Sequence, residues 1–288
     1  MQRDWTLPLC RSYLYAPATK PELYEKALVS EADAVTIDLE DGVAESRKTE
    51  ARELVSDLLR ADLPKPVFVR INSLESGLAE ADIEALAGLA ITGVRIPKVR
   101  RAEEVAQLCQ RLRDIGFEGG VQLQIERAEG VLNLPEIARA DSMIEFIGIG
   151  ERDLSIELGC ARDNLDPIRM QLLLVSRAHG LRPPIQGSFG IASDLDEYEQ
   201  STLAGKQAGF FGRMTIHPSH IDVIHRVYTP SRQEVDYARD ALERLVAITR
   251  EGQTTTRDQN GDYLSVWYRT VGEGILELAR QFGTREDQ

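Results

Sequence analysis

The chain has 288 residues, of which 42% are apolar and 28% are charged, and its formal net charge is −13 at pH 7. This size is typical of one closed α/β barrel, and the composition is that of a folded globular protein. The negative charge argues against a nucleic-acid partner and against binding to an anionic membrane, because both need a surplus of lysine and arginine. It is compatible with an anionic small substrate, since single basic residues can line a pocket.

The chain shows no signal for a membrane or an export route. It has no run of 18 apolar residues, and the stretch 1–15 lacks a basic segment followed by an apolar one. The three cysteines, Cys10, Cys109 and Cys160, are far apart and form no CxxC pair, so we expect neither a zinc site nor a disulfide framework. A reducing, cytoplasmic location fits this use of cysteine.

Short β-rich runs alternate along the chain with longer stretches of helical periodicity. The runs are Ser12–Tyr15, Ala34–Leu39, Val67–Ile71, Gly93–Pro97, Val121–Ile125, Ile144–Ile149, Pro184–Gln186 and Arg213–Ile216. Between them, Ser46–Leu59 and Ala102–Ile115 are examples of stretches with apolar residues at i, i+3, i+4 and i+7. The seventh run must be short, because Pro183 and Pro184 remove two donors from a strand ladder.

Eight such runs separated by helices predict a parallel sheet, and eight strands close a (β/α)₈ TIM barrel. An open doubly wound sheet is the alternative, but it would normally carry a glycine-rich loop after its first strand, whereas this loop reads APATKPELY. We predict the barrel over residues 1–228.

Residues 229–288 form a predicted C-terminal helical extension, a candidate lid or subunit-contact arm. Gln233–Ile248 and Leu264–Phe282 have helical patterns, and Pro230–Ser231 is a helix start signal. The segment Glu251–Gly261 between them is polar and turn-rich.

Polar side chains follow the predicted strands at their C-terminal ends, where the catalytic groups of a barrel lie. They are Asp38, Glu40, Asp41, Arg70, Asn72, Lys98, Glu126, Glu151, Arg152, Asp153, Gln186, Ser188 and His217. Strand ends are often polar because they face solvent. Buried cations such as those expected at Arg70 and Lys98 are rare unless paired, however, so the set predicts a polar, funnel-shaped site.

Glu126 and Asp153 follow neighbouring strands, which lie about 4.8 Å apart in a sheet, so their carboxylates can share one ion. Two carboxylates with waters and a chelating substrate are the usual ligands of Mg²⁺. The alternative is that each carboxylate pairs with a nearby cation, namely Arg70, Lys98, Arg127 or Arg152.

The motifs RSYLYAPATKPELYEKAL, ADAVTIDLEDGV, ESRKTEAR, VRIN, IPKV, QIERAEG, IGIGERDLS and MTIHPSHI follow one another over most of the chain. In this combination and spacing the chain resembles the citrate lyase β-subunit-like (CitE-like) family of the HpcH/HpaI aldolase superfamily, to which the malyl-CoA and citramalyl-CoA lyases belong. The resemblance implies a barrel assembled as a homotrimer or hexamer. It also implies Mg²⁺ held by Glu126 and Asp153.

The same resemblance assigns roles to four more residues. Arg70, in the R-[VI]-N motif, would bind the carboxylate or carbonyl of the acid substrate. Glu40 and Asp41 would support the site through hydrogen bonds to metal-bound water or to basic side chains, and Lys98 would be a partner of Glu40 or Asp41.

The C-terminal motif departs from the family pattern. The CoA-ester lyases carry D-G-x-M-[IV]-D, whose second Asp reaches into a neighbouring subunit as acid/base, but residues 260–265 here read NGDYLS. Ser265 stands at the position of that Asp. Asp262 is nearby in a different register and is our candidate acid/base, with a metal-bound water as the alternative. The family's A-I-D-G after the seventh strand also loses its carboxylate, at Gln186.

These residues predict a Mg²⁺-dependent carbon–carbon lyase acting on a 3-hydroxy acyl thioester, such as a coenzyme A thioester, or on a related aldol of a 2-keto acid. Two alternatives remain. One is an acyl-thioester hydrolase on the same scaffold. The other is a subunit of a larger citrate lyase-like assembly with little activity alone.

Overall fold

The computed structural model describes residues 6–59, 63–188 and 194–286, and the chain divides into two compact units, Met1–Ile224 and His225–Gln288. Residues 1–5 lie outside the described part. They belong to the stretch 1–15, from which we expected no secretory signal. Among the described helices, none is both long and apolar enough to cross a membrane.

Seven parallel strands make up the sheet of the first unit. They are β1 (Ser12–Pro17), β2 (Ala34–Asp38), β3 (Val67–Arg70), β4 (Gly93–Ile96), β5 (Gly120–Ile125), β6 (Ile144–Ile149) and β7 (Arg213–Thr215). Their order in the sheet is β6-β5-β4-β3-β2-β1-β7. Because the strands are parallel and mostly consecutive, their carboxyl ends lie together at one edge of the sheet.

The predicted seventh run at Pro184–Gln186 does not form a strand ladder. Two isolated bridges, Gly148↔Ile185 and Gln186↔Arg213, connect this segment to β6 and β7. Pro183 and Pro184 have no backbone N–H to donate, which limits the pairing to these bridges. Over the described residues the prediction of a parallel sheet is therefore confirmed, but the sheet has seven strands and is not closed by an eighth.

Helices separate the strands, as the periodicity predicts. They are α1 (Pro21–Leu28), α2 (Lys48–Leu58), α3 (Ala79–Ala85), α4 (Ala102–Asp114), α5 (Ala128–Leu132), α6 (Leu134–Ala138), α7 (Glu151–Leu158), α8 (Asp166–Ala178), α9 (Leu195–Gln207) and α10 (Ile221–Tyr228). Short 3₁₀ turns occupy Glu45–Arg47, Leu74–Ser76, Arg162–Leu165 and Pro218–His220.

Side chains along each strand alternate between two cores. Val35 and Ile37 of β2 belong to the large core that also contains the apolar faces of α2 and α4, whereas Ala34 belongs to an inner cluster. The other buried members of this cluster are Leu7, Cys10, Tyr13, Phe68, Phe146, Ile185 and Met214. Strands from both ends of the sheet order contribute to it, so the sheet curves around the inner cluster.

The second unit contains two helices and a hairpin. They are α11 (Arg232–Arg250), β8 (Thr255–Arg257), β9 (Tyr263–Ser265) and α12 (Tyr268–Phe282). Ser231 starts α11 as predicted: its Oγ accepts from the Glu234 N–H, and the Glu234 carboxylate accepts from the Ser231 N–H. The polar, turn-rich segment Glu251–Gly261 contains β8 and the turn of this hairpin. The helical pattern predicted for Leu264–Phe282 is corrected at its start, because Leu264 lies in β9 and α12 begins at Tyr268.

The turn of this hairpin is built on Asp258, whose Oδ1 accepts from the backbone N–H of Asn260 and of Asp262. Its other carboxylate oxygen accepts from the Tyr237 hydroxyl of α11 at 2.6 Å. These bonds fix the turn against the helix within the second unit.

Glu145 of β6 offers a test of what holds the N-terminal segment to the sheet. Its buried carboxylate accepts from the backbone N–H of Thr6 (2.6 Å) and of Leu7 (3.0 Å) and lies 3.8 Å from Arg182. We expect Glu145→Ala to lower the free energy of unfolding in urea by about 2–4 kcal/mol, because it leaves buried donors and a cation without their acceptor. Exposed Glu118 provides the control, Glu118→Ala, and equal stability of the two variants would contradict this role.

Candidate active site

Arg70 is fixed at the end of β3 by carboxylates from β2 and the loop that follows it. Its Nε and Nη2 donate to the two oxygens of Asp38 at 2.7 and 2.6 Å, and its Nη1 lies 3.1 Å from Glu40. The ring of Tyr15 on β1 packs against the guanidinium, 4.8 Å from ring centre to Cζ. A bidentate pair of this kind holds both position and plane, so Arg70 presents one fixed orientation.

Lys98, just after β4, extends the network. Its Nζ lies 2.8 Å from Glu40 and 2.8 Å from Asp41, so Glu40 bridges Lys98 and Arg70. Lys98 also has a backbone φ of 50°, the left-handed region that residues with a Cβ seldom adopt. In this conformation its backbone N–H donates to Glu126 Oε1 at 3.0 Å. The strained backbone therefore serves the carboxylate that follows the next strand.

Glu126 is fully buried at the end of β5. Burial, followed by the negative charges of Glu40 and Asp153 and a side-chain hydrogen bond with Asp153, raises the pKa of Glu126 to about 8, against the opposing effect of Arg70. Gly150 leaves room for this side chain, since a Cβ there would come within 2.6 Å of the Glu126 Cβ. The fold thus brings two carboxyl groups from neighbouring strand ends into direct interaction.

A pocket of about 420 Å³ opens onto these groups. Its walls include Tyr15, Asp38, Asp41, Arg70, Gln124, Arg152 and Asp153, with apolar surface from Pro17, Leu23, Met214 and Ile216. Apart from Glu151, which pairs with Arg162 and Arg169, the carboxyl groups Asp38, Glu40, Asp41, Glu126 and Asp153 outnumber the cations Arg70, Lys98 and Arg152 around it by two. Burial first, and then the neighbouring carboxylates, raise the pKa of Glu126, and a divalent cation would offset the excess negative charge.

The donor set fits an octahedral ion that keeps most of its coordination sphere for other ligands. In residues 6–59, 63–188 and 194–286, no three or more His, Cys, Asp and Glu side chains are arranged to enclose a metal. Mg²⁺ is usually held by one or two carboxylates with waters and substrate oxygens rather than by such a cage. Glu126, which is buried, and Asp153, which lines the pocket, match that number of carboxyl groups.

The structure brings together six of the seven predicted site residues, namely Glu40, Asp41, Arg70, Lys98, Glu126 and Asp153. The seventh, Asp262, belongs to the second unit, where it is exposed in the β8–β9 turn. Its role stays a prediction.

Three residues at the site were not assigned a role from the sequence. Asp38 is the main partner of Arg70, and the pKa of its carboxyl lies below the ordinary value because Arg70 and two backbone N–H groups oppose the desolvation. Lys48 of α2 is buried and donates to the carbonyls of Leu39 and Glu40, and it also donates to Asn72. Tyr15 packs on Arg70. The sequence held a signal for Asp38: it lies two residues before Glu40, and residues two apart in a strand point to the same face of the sheet.

Two other polar strand-end residues have structural partners. Buried Glu151 pairs with Arg162 at 3.0 Å and with Arg169 at 2.8 Å. The Nδ1 of His217 accepts from the Ser219 N–H at the start of the following 3₁₀ turn. Both therefore hold loops.

Three comparisons with known proteins point to the same family. The family model described as HpcH/HpaI aldolase/citrate lyase matches residues 11–218. A (3S)-malyl-CoA thioesterase of Cereibacter sphaeroides is 33% identical over 250 residues, covering 84% of this chain and 85% of that protein. The citrate lyase subunit beta of Escherichia coli K12 is 31% identical over 255 residues, covering 84% of each.

Among solved structures, CitE from Mycobacterium tuberculosis in complex with magnesium, acetoacetate and coenzyme A is 30% identical, with a TM-score of 0.78, and covers 94% of this chain and 98% of that one. The M. tuberculosis citrate lyase beta subunit complexed with oxaloacetate and magnesium is 32% identical, with a TM-score of 0.68, and covers 77% and 98%. The chain therefore belongs to the HpcH/HpaI aldolase/citrate lyase family and is a citrate lyase β-subunit-like enzyme.

Proposed function

We propose that the protein is a Mg²⁺-dependent carbon–carbon lyase that cleaves a 3-hydroxy acyl thioester, such as a coenzyme A ester, into a 2-keto acid and a shorter acyl thioester. The observation that carries this proposal is the buried Glu126 carboxyl interacting with Asp153 beside the fixed guanidinium of Arg70. Complexes of M. tuberculosis relatives with magnesium and acetoacetate or oxaloacetate support it.

In this proposal Glu126 and Asp153 hold the ion. When bound, Mg²⁺ supplies a Lewis acid for the substrate carbonyl and a template that orients the reacting groups. Lys98 contributes through its backbone N–H, which fixes one oxygen of Glu126, while its ammonium neutralises Glu40 and Asp41.

Arg70 is suited to bind the substrate carboxylate. A guanidinium carries five N–H donors. Hydrogen bonds to Asp38 use two of them, and Nη1 also forms an ion pair with Glu40. The other donors of Arg70, which lines the pocket, are available to an anionic substrate, and the paired carboxylates hold the plane of the guanidinium. This arrangement neutralises negative charge on the keto acid as the bond breaks.

Cleavage requires a base that takes the proton of the 3-hydroxyl and an acid that protonates the α-carbon of the released thioester. We propose Asp262 for this proton transfer. Within the described residues only its backbone forms hydrogen bonds, and these go to Asp258, so its carboxylate is left without a partner on a fixed turn. Ser265, at the position of the family's Asp, is no substitute, because a serine hydroxyl is too weak an acid and base for this proton transfer at neutral pH.

A thioester hydrolase is the second candidate, because relatives that are 33% identical are named (3S)-malyl-CoA thioesterase. The same pocket would then hold the hydroxy acid while water attacks the thioester carbonyl and the thiol leaves. Both reactions need the carboxylate pair and Arg70, and they differ in the bond that breaks.

We also propose that the first unit closes as an eight-stranded barrel, with Ile185–Gln186 completing the circle through its two bridges. The boundary expected near residue 228, the homotrimer or hexamer and the cytoplasmic location remain proposals. Exposed apolar side chains on α5, α7 and α8, at Leu132, Ile156 and Leu174, are available for contacts between subunits.

The metal assignment is tested with Glu126→Gln and Asp153→Asn, which keep the shape of each side chain and remove its charge. We expect each variant to weaken Mn²⁺ or Mg²⁺ binding at least 100-fold and to lower kcat by a similar factor, because neither amide can replace an anionic ligand. Calorimetric titration and a thioester-cleavage assay measure these effects. Glu118→Gln is the control, and metal binding and activity intact in both site variants would disprove the assignment.

The raised pKa of Glu126 predicts how the stability of the metal-free protein depends on pH. Since the folded pKa of about 8 exceeds the ordinary value of 4.5, folding favours the protonated carboxyl. This contribution is complete below pH 4.5 and is lost as the pH rises through 8. Each unit of the shift is equivalent to about 1.4 kcal/mol. Urea unfolding in EDTA across this range should show the loss in the wild type and not in Glu126→Gln. The same slope in both proteins would contradict the assignment.

Product analysis separates lyase from hydrolase. With malyl-CoA as substrate, a lyase gives glyoxylate and acetyl-CoA with no free thiol. A hydrolase gives malate and one equivalent of free coenzyme A. We expect the lyase products, followed by chromatography of the acyl-CoA pool and a thiol-specific reagent. Free thiol formed at the rate of substrate loss would support the hydrolase instead.

A further inference from the structure

Arg95 of β4 is a fully buried cation inside the curve of the sheet, below the pocket. Its Nε and Nη2 donate to Gln122 Oε1 and its Nη1 donates to the Tyr15 hydroxyl at 2.7 Å, while the rings of Tyr13 and Tyr15 lie 5.3 and 5.4 Å from its Cζ. Within the described part of the chain it forms no ion pair with a carboxylate. Burying a charge among neutral groups lowers the stability of the fold, so we expect Arg95 to have a role other than filling the core.

A chain of hydrogen bonds leads from Arg95 to Glu126. The Tyr15 hydroxyl donates to Gln124 Oε1 at 3.3 Å, and Gln124 Nε2 donates to Glu126 Oε2 at 3.2 Å. The sulfur of Met214, 3.5 Å from the Tyr15 oxygen, is a weaker alternative acceptor. All three links join side chains that point to the same interior face of β1, β4 and β5.

Arginine fixes the direction of this chain because a guanidinium can only donate. The Tyr15 oxygen must accept from Arg95, so its single proton is free for Gln124. Gln124 must then turn its carbonyl to Tyr15 and its amide N–H to Glu126. The arrangement requires an acceptor at Glu126 Oε2, and Lys98 N–H already occupies one lone pair of Oε1. Once Glu126 is ionised and its hydrogen bond with Asp153 is given up, one lone pair on each oxygen remains for an ion.

We propose that Arg95, Tyr15 and Gln124 are positioning residues that orient the Glu126 carboxylate for the divalent cation, with Arg95 setting the polarity of the chain. This inference rests on the proposed metal role of Glu126. The partners that orient a metal ligand typically change metal affinity 10- to 100-fold when they are removed.

Tyr15→Phe tests the proposal, because it removes the hydroxyl and keeps the ring that packs on Arg70. Tyr13→Phe is the control: Tyr13 lies on the same strand, is fully buried and contacts Arg95 through its ring, but its hydroxyl is not part of the hydrogen-bond chain to Glu126. The probe is Mn²⁺ alone, titrated against the full-length protein and followed by calorimetry, with thermal melting to verify folding.

We expect Tyr15→Phe to weaken Mn²⁺ binding about tenfold and Tyr13→Phe to change it less than about twofold. Since Gln124 is the link between Tyr15 and Glu126, Tyr15→Phe combined with Gln124→Met should lose no more affinity than Gln124→Met alone. Multiplied losses, unchanged affinity in Tyr15→Phe, or equal losses in the two tyrosine variants would overturn the inference. Absence of Mn²⁺ binding by the wild type would overturn the inference and the proposed metal site together.

Discussion

The ion-pair network of Asp38, Arg70, Glu40 and Lys98 is the constraint on which the site depends. It ties together the ends of three consecutive strands, and the backbone N–H of Lys98 carries the connection to Glu126 after a fourth. Each member is shielded from water, so each charge is tolerable only while its partners are in place. The positions of the strand ends and the positions of the charges are therefore set by the same contacts, so the curved parallel sheet holds the charges of the pocket in fixed places.

The network also leaves more carboxyl groups than cations at the site. Arg70 and Lys98 pair with Asp38, Glu40 and Asp41, while Glu126 lies buried beside the negative charge of Asp153. Burial and the neighbouring carboxylates outweigh the opposing effect of Arg70, so Glu126 favours its protonated form. With all of its carboxyl groups ionised, the site therefore lowers the stability of the fold relative to a site that carries no net charge. A destabilising arrangement of this kind is typical of a site whose ligand neutralises the charges. The left-handed backbone of Lys98, next to Glu126, is a second destabilising feature at the same place.

Much of this arrangement could be predicted from the sequence. Strand periodicity placed Glu126, Arg70 and Lys98 at strand ends, since parallel strands bring their carboxyl ends together. Asp38 was among the polar residues at strand ends but had no assigned role, because its position alone does not show that it pairs with Arg70. Tyr15 had no assigned role because it points inward along its strand. The alternation in AVTIDLE puts Asp38 and Glu40 on the inner face with Ala34, opposite Val35 and Ile37. The same parity sets Arg95 and Gln124 inside. The β8–β9 hairpin was missed although Asn260–Gly261 is a turn signal, because its strands are three residues long and mostly exposed.

In the proposed function, the groups that hold the substrate and the group that decides the reaction lie in different parts of the chain. The roles proposed for Arg70, Glu126 and Asp153 would suit a lyase and a hydrolase equally, since both must bind an anionic acid next to a carbonyl. What separates the two reactions is whether a base removes the 3-hydroxyl proton and an acid then reaches the α-carbon, or whether water attacks the thioester. That choice requires a proton-transfer group besides the carboxylate pair. Because Ser265 stands at the position of the family's Asp, our proposal gives this role to Asp262, three residues earlier on the hairpin. In this proposal the residue that selects the reaction belongs to the second unit, whereas the charge network belongs to the first.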